Sequence, residues 1–205
     1  MRLRLVREPF DNPDYIFELK HDGFRATVFI ENRECRLVSR NLKNLRFESL
    51  KAALARLPVR NAILDGEIVC LDENGVSRFN RLLSRKAEPI LYAFDLLWLD
   101  GKDLRQLPLI ERKSRLAHLV ELSKCERLLF AQHVEGAGKE LFAEICRRDL
   151  EGIVAKRKTG VYREDRQTGS RSRTRPIAKP RVGTIFSGRT SEVAQGRGRH
   201  DLFRR

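Results

Sequence analysis

The stretch Glu18-Leu19-Lys20-His21-Asp22-Gly23-Phe24-Arg25 constrains the chain more than any other, because an Asp-Gly pair sits between two alternating runs. Asp-Gly in that setting is a strong hairpin signal, since glycine accepts the positive φ of a tight two-residue turn. Before the pair, Phe17 and Leu19 share one face while Glu18 and Lys20 share the other. After it, Phe24, Ala26, Val28 and Ile30 alternate with Arg25, Thr27 and Glu31. The pattern predicts a hairpin that presents Glu18, Lys20 and Arg25 on a polar surface backed by an apolar one. Asp22 helps to build its turn.

The remaining elements are read in order after an irregular lead-in over 1–13, broken by Pro9 and Pro13. A third strand over 35–40 follows the turn Glu31-Asn32-Arg33-Glu34. Leu50, Ala53, Leu54 and Leu57 predict a helix within 45–57 that stops at Pro58. A strand over 62–71 closes on the turn Asp72-Glu73-Asn74-Gly75, and a short helix spans 79–84. The run from Pro89 to Leu99 is almost continuously apolar, which predicts a strand buried on both faces. Pro108 opens a helix to 122 with Leu109, Arg112 and Lys113, Leu116, Leu119 and Val120 in period. Then come a strand over 128–134, a helix over 139–148 and a strand over 152–156. Strands outnumber helices and hairpins dominate the first half. An α+β domain of largely antiparallel sheets flanked by helices is expected.

The 205 residues, 41% hydrophobic, suit one such domain over 1–165 with an appendage over 166–205. That appendage loses all periodicity, and Arg171-Ser172-Arg173-Thr174-Arg175 is low-complexity and basic. From Arg157 onward there are 14 Lys and Arg against 4 Asp and Glu, most of the chain's net charge of +14. Such an excess suits a polyanion such as nucleic acid, or a merely solvated, poorly ordered tail. Cys35, Cys70, Cys125 and Cys146 are too scattered for zinc ligation or a disulfide framework, so they read as core thiols. His21, His118, His133 and His200 make no cluster and receive no role. Nothing reaches membrane-span length and no secretory signal follows Met1, so no membrane partner and a cytoplasmic location are expected.

A lysine beside Asp-Gly is usually a surface lysine. Distant segments give this one more interest. Leu64-Asp65-Gly66-Glu67-Ile68-Val69 puts two acids on one strand face with Gly66 clearing space, although Asp65 also reads as a structural cap. Phe94-Asp95-Leu96-Leu97 sets an aromatic in the buried strand, where core packing alone would explain it. Glu151-Gly152-Ile153-Val154-Ala155-Lys156 brackets a strand with an acid and a lysine.

In that order and spacing, K-x-D-G-x-R, S-R-N, D-G-E, F-D-L-L and E-G-I-V-A-K resemble the nucleotidyltransferase motifs of ATP-dependent DNA ligases. The resemblance runs over about 10–165 and is nearest the ligase domain of the bacterial end-joining type. It implies a nucleotidyltransferase fold of the ATP-grasp-like kind. It also implies lysyl-AMP formation, transfer of AMP to a DNA 5′-phosphate, and nick sealing in repair and recombination. It makes Lys20 the nucleophile and Lys156 a second charge on the phosphate. It sets Glu18 where the adenine amino group is read, Arg25 and Arg40 at ribose or phosphate oxygens, and Phe94 stacked on adenine. Mg²⁺ is implied alongside ATP, with Glu151 and Glu67 as carboxylate partners and Glu67 also near the ribose. Nicked or broken DNA ends, in the nucleoid, are the implied partner.

The family's W-x-K-x-K segment is not visible after 156, Lys179 being the nearest lysine, yet 198–203 again looks like family sequence. A frameshifted or decayed stretch over 166–197 is therefore expected. So is the absence of the OB-fold domain, leaving that domain or an end-joining partner to be supplied from elsewhere. Alternatives stay open: an inactive nucleic-acid-binding fragment, or an RNA ligase or capping-type nucleotidyltransferase.

Overall fold

The computed structural model describes residues 8–84, 88–163 and 175–178. The basic run over 171–174, Lys179 and the 198–203 stretch lie outside them.

Two sheets organise these residues. The first has the strand order β10-β9-β1-β8, from β1 (Asn12–Leu19), β8 (His133–Gly136), β9 (Gly152–Arg157) and β10 (Arg175–Ala178). The second runs β3-β2-β4-β5-β6, from β2 (Phe24–Glu31), β3 (Glu34–Ser39), β4 (Asn61–Val69), β5 (Ile90–Leu99) and β6 (Lys102–Asp103). β7 (Leu128–Phe130) joins β5 in parallel, while every other strand pair is antiparallel. The expected α+β class of largely antiparallel sheets holds, and each sheet has its own core.

In the larger sheet, alternation at Ala26, Val28 and Ile30 meets Leu64 and Ile68 of β4 and Leu91, Ala93 and Leu96 of β5. Two helices cover that face: α1 (Glu48–Leu54) through Leu50 and Leu54, and α3 (Leu109–Ser123) through Leu116 and Leu119. α2 (Phe79–Ser84) adds Leu82. The smaller sheet packs Tyr15, Phe17, Ile153 and Ala155 against Ile145 of α4 (Gly138–Arg147). A fully buried Leu or Phe contributes about 1.5–3 kcal/mol, so these two clusters supply most of the drive to fold.

The central hairpin is not there. β1 and β2 lie in different sheets, and Lys20 through Gly23 cross from one to the other. Gly23 is required by proximity: a Cβ on it would lie 2.2 Å from the Ile68 carbonyl oxygen of β4. Local alternation is identical for strands that pair with each other and strands that pair elsewhere. Two-residue hairpins instead join β2 to β3, where Asn32 and Arg33 take φ of 50° and 64°, and β5 to β6, where Asp100 and Gly101 take 46° and 88°. The strand expected over 128–134 is also two strands, β7 and β8, one in each sheet. β10 pairs with β9 within the stretch expected to lack structure.

Of the thiols, Cys70 is buried, and Cys35 and Cys125 pack against the larger core. No helix among the described residues is long and apolar enough to cross a membrane.

Candidate active site

The two sheets face each other across a cleft of about 410 Å³. β1 and β9 supply Glu18, Leu19, Val154 and Lys156 on one side. β2, β4 and β5 supply Phe24, Arg25, Glu67 and Phe94 on the other, with Arg40 at the exposed rim after β3. Lys20, His21 and Gly23, in the crossing segment, form its floor. Seven of the eight site residues expected from sequence line this cleft. The eighth, Glu151, is ion-paired to Lys20.

Strand register explains the convergence. The Lys20 amide donates to the Gly152 carbonyl at 2.9 Å, continuing the β1–β9 ladder and setting Lys20 beside Glu151. Arg25 stands directly opposite Glu67 across β2 and β4. Phe94 has a separate cause. Asp65 pairs with Asp95 but Gly66 pairs with Ala93, so Phe94 is an extra residue, a β-bulge. Bulges re-aim side chains, and this one turns the ring out of the core run into the cleft. Gly66 permits the close approach, since a Cβ there would lie 2.6 Å from the Tyr92 carbonyl.

Charge is arranged around three buried carboxylates, Glu18, Asp65 and Asp95. Glu18 accepts from Lys113 Nζ at 2.6 Å and pairs with Lys156 Nζ at 2.5 Å. Burial opposes its charge, but Lys156 and Lys113 hold the carboxyl below its ordinary value. Lys156 Nζ also lies 4.2 Å from the Phe94 ring centroid. Arg25 donates to both oxygens of Asp65 at 3.1 and 2.7 Å, and the Tyr162 hydroxyl donates to Oδ2 at 2.9 Å. Asp65 thus aims Arg25 rather than capping anything. Arg112 donates to both oxygens of Asp95 at 2.7 and 2.9 Å, and to the carbonyls of Leu107 and Gly160.

Sequence reading missed Lys113, Arg112 and Tyr162. Charged residues at core-facing positions of a helix were the available signal for the first two. It also missed His21, which lines the cleft, stacks on Tyr92 at 4.0 Å between centroids, and meets Ser77 Oγ at 3.0 Å.

Burial lowers the Lys20 ammonium below its ordinary value, against Glu67 and Asp22. That favours the neutral amine, the nucleophilic form. Burial pushes the Glu67 carboxyl up to about 7, opposed by Arg25 and Lys20. Among the described residues no three His, Cys, Asp or Glu side chains cluster as a metal cage. Glu67 and Glu151 beside Lys20 instead suit Mg²⁺, which takes one or two carboxylates and completes its shell with substrate phosphates.

Burial also lowers the His21 imidazole to about 4. Between pH 6.5 and 4 the unfolded chain takes up a proton that the folded chain refuses. Stability from this site is complete above 6.5 and falls as pH drops towards 4. The full shift corresponds to roughly 3 kcal/mol, and the ring's partial exposure to an open cleft reduces it to on the order of 1–2 kcal/mol. Denaturant unfolding at pH 7 and 4.5 should show His21→Gln losing less stability on acidification than the parent. Equal losses would remove His21 as the cause.

Residues 4–172 match the model of the ATP-dependent DNA ligase domain. The multifunctional non-homologous end joining protein LigD of Pseudomonas aeruginosa is 37% identical over 169 residues, 79% of this chain and 20% of that protein. The structure of mycobacterial DNA ligase D complexed with ATP and MES superposes with a TM-score of 0.76 at 26% identity, over 86% of this chain and 58% of that one. The ligase domain of LigD from M. tuberculosis gives 0.74 at 27% identity with the same coverage. The chain thus spans about a fifth of the length of the curated relative. With the matched residues taking in the whole described cleft and every described strand but β10, the chain belongs to the ATP-dependent DNA ligase domain family.

Proposed function

We propose that this cleft carries out the nucleotidyl transfer of a DNA ligase, through a lysyl-AMP intermediate on Lys20. The convergence of Lys20, Glu67, Arg25, Phe94 and Lys156 on one cleft, with Glu151 ion-paired to Lys20, carries the reading. The neutral Lys20 amine attacks the α-phosphate of ATP, forming a P–N bond as the bond to pyrophosphate breaks, and its proton passes to solvent. AMP then moves to a DNA 5′-phosphate, and the 3′-hydroxyl of the nick displaces it.

A free lysine with a pKa of about 10.4 is neutral only about once in 2,500 at pH 7, so the burial that lowers Lys20 matters directly. Arg25, aimed by Asp65, and rim residue Arg40 meet ribose and phosphate oxygens. Glu18 reads the adenine amino group, and the bulged Phe94 gives the base an apolar platform. Glu67 and Glu151 would hold Mg²⁺, which when bound neutralises phosphate charge. The likeness to the end-joining relative supports broken or nicked DNA ends as the substrate and DNA repair as the setting, with the nucleoid the proposed location.

Protein incubated with α-labelled ATP and Mg²⁺ should keep label after denaturation, whereas γ-labelled ATP should leave none. The label should be acid-labile, as a phosphoramidate is, and map to the peptide containing Lys20. Folded protein that takes up no label, yet binds DNA in a salt-dependent way, would identify a nucleic-acid-binding domain without transfer activity.

A further inference from the structure

The buried carboxylate of Glu18 has two ammonium partners, and they are held differently. Lys113 is 1% exposed and fixed from three directions: Glu18 Oε1 at 2.6 Å, the Ala131 carbonyl at 2.9 Å, and the Phe130 ring with its centroid 4.4 Å away. Lys156 lines the cleft, where it meets Glu18 Oε2 at 2.5 Å and the Phe94 ring at 4.2 Å. Both of those contacts are on residues assigned above to adenine. Lys113 comes from α3, outside the cleft, and reaches across to β1 of the other sheet.

One carboxylate against two ammoniums leaves an excess positive charge in a buried wall. The neighbours do not cancel it. Asp95 is taken up bidentately by Arg112, and His133, opposite Glu18 in the β1–β8 register, has a buried Nδ1 with no hydrogen-bond partner among the described residues. An excess of this kind attracts an anion. Only the lysine that faces the cleft can turn towards one. It can leave Glu18 only because the other lysine remains, since a bare buried carboxylate is strongly unfavourable.

We propose that Lys113 is a positioning residue: it is the permanent counter-ion of Glu18, and so frees Lys156 to leave Glu18 for the nucleotide phosphates. This rests on the reading of the cleft as an ATP site. Base entry and phosphate capture are then linked, because the ring occupied by Lys156 is the one the base must cover. Without Lys113, Lys156 becomes the sole partner of Glu18 and is locked in place. Without the charge on Glu18, Lys156 is released again.

The test compares the affinity of the protein for ATP with its affinity for adenosine, which lacks phosphates, by calorimetry. Lys113→Met should lower the ATP-to-adenosine affinity ratio about tenfold or more, the loss of one charge-assisted contact. Glu18→Gln added to Lys113→Met should restore the ratio even though overall affinity falls. Lys113→Arg, which retains the charge, should keep the parent ratio. A purely structural lysine would move both affinities together, and that result, or no recovery on adding Glu18→Gln, overturns the proposal. A parent protein that binds no ATP would overturn the site reading, and this inference with it. If Lys113→Met does not fold, ¹⁵N-lysine NMR of the intact protein decides. ATP should shift the Lys156 Nζ signal and leave that of Lys113 in place; equal shifts overturn the idea.

Discussion

Lys20→Arg is expected to reduce covalent labelling from α-labelled ATP to background, a loss of at least about a thousandfold by analogy with removing other enzyme nucleophiles. The argument is chemical. Burial can bring an ammonium partly to the neutral amine, as it does at Lys20. A guanidinium, with a pKa above 12, is not deprotonated by the same environment. Arginine would still pair with Glu151, so the local charge survives while the nucleophile is gone. The side chain is 29% exposed, and its loss should leave the melting temperature within a few degrees of the parent. Label retained on Lys20→Arg would place the covalent bond on another residue.

Asp95→Ala should produce the largest loss of stability. Asp95 and Arg112 are 3% and 1% exposed, and the guanidinium joins β5, the α3 start and the Gly160 carbonyl beyond β9. Removing the carboxylate leaves a buried cation without its counter-charge, at a cost of about 3–5 kcal/mol. Against a typical total of about 5–15 kcal/mol this is a large fraction. For a chain of this size it lowers the melting temperature by roughly 6–20 °C, measurable by scanning calorimetry. Asp95→Leu combined with Arg112→Met should lose much less, because the pair's net worth against an apolar replacement is small. A double variant as unstable as Asp95→Ala would assign the loss to packing.

What local patterning could reveal, it revealed well. Alternation located β2, a near-continuous apolar run located β5, the apolar period located α3, and Asn32-Arg33 sat in a genuine hairpin turn. Patterning could not say which strands pair. The run into Asp22-Gly23 reads as half of a hairpin whether its partner is β2 or β9, because alternation records only which face is buried. The same blindness fused β7 with β8. Motif order brought Lys20, Glu67, Phe94 and Glu151 together on paper, but the pairing of Arg25 with Asp65, and of Lys113 with Glu18, depends on contacts 40 and 95 residues apart. A charged residue on a helix's inner face says that a partner exists, not where. The bulge at Phe94 was equally hidden, since one extra residue does not change the composition of a strand.

That bulge sets folding and chemistry at odds at one position. Without residue 94, β4 and β5 would run from the Asp65–Asp95 pair to the Gly66–Ala93 pair as an unbroken ladder. A chain selected only for a regular, durable sheet would discard the very residue that gives the cleft its aromatic wall. The domain therefore keeps an extra residue in β5 at this point, and the fault in the weave opens onto the cleft.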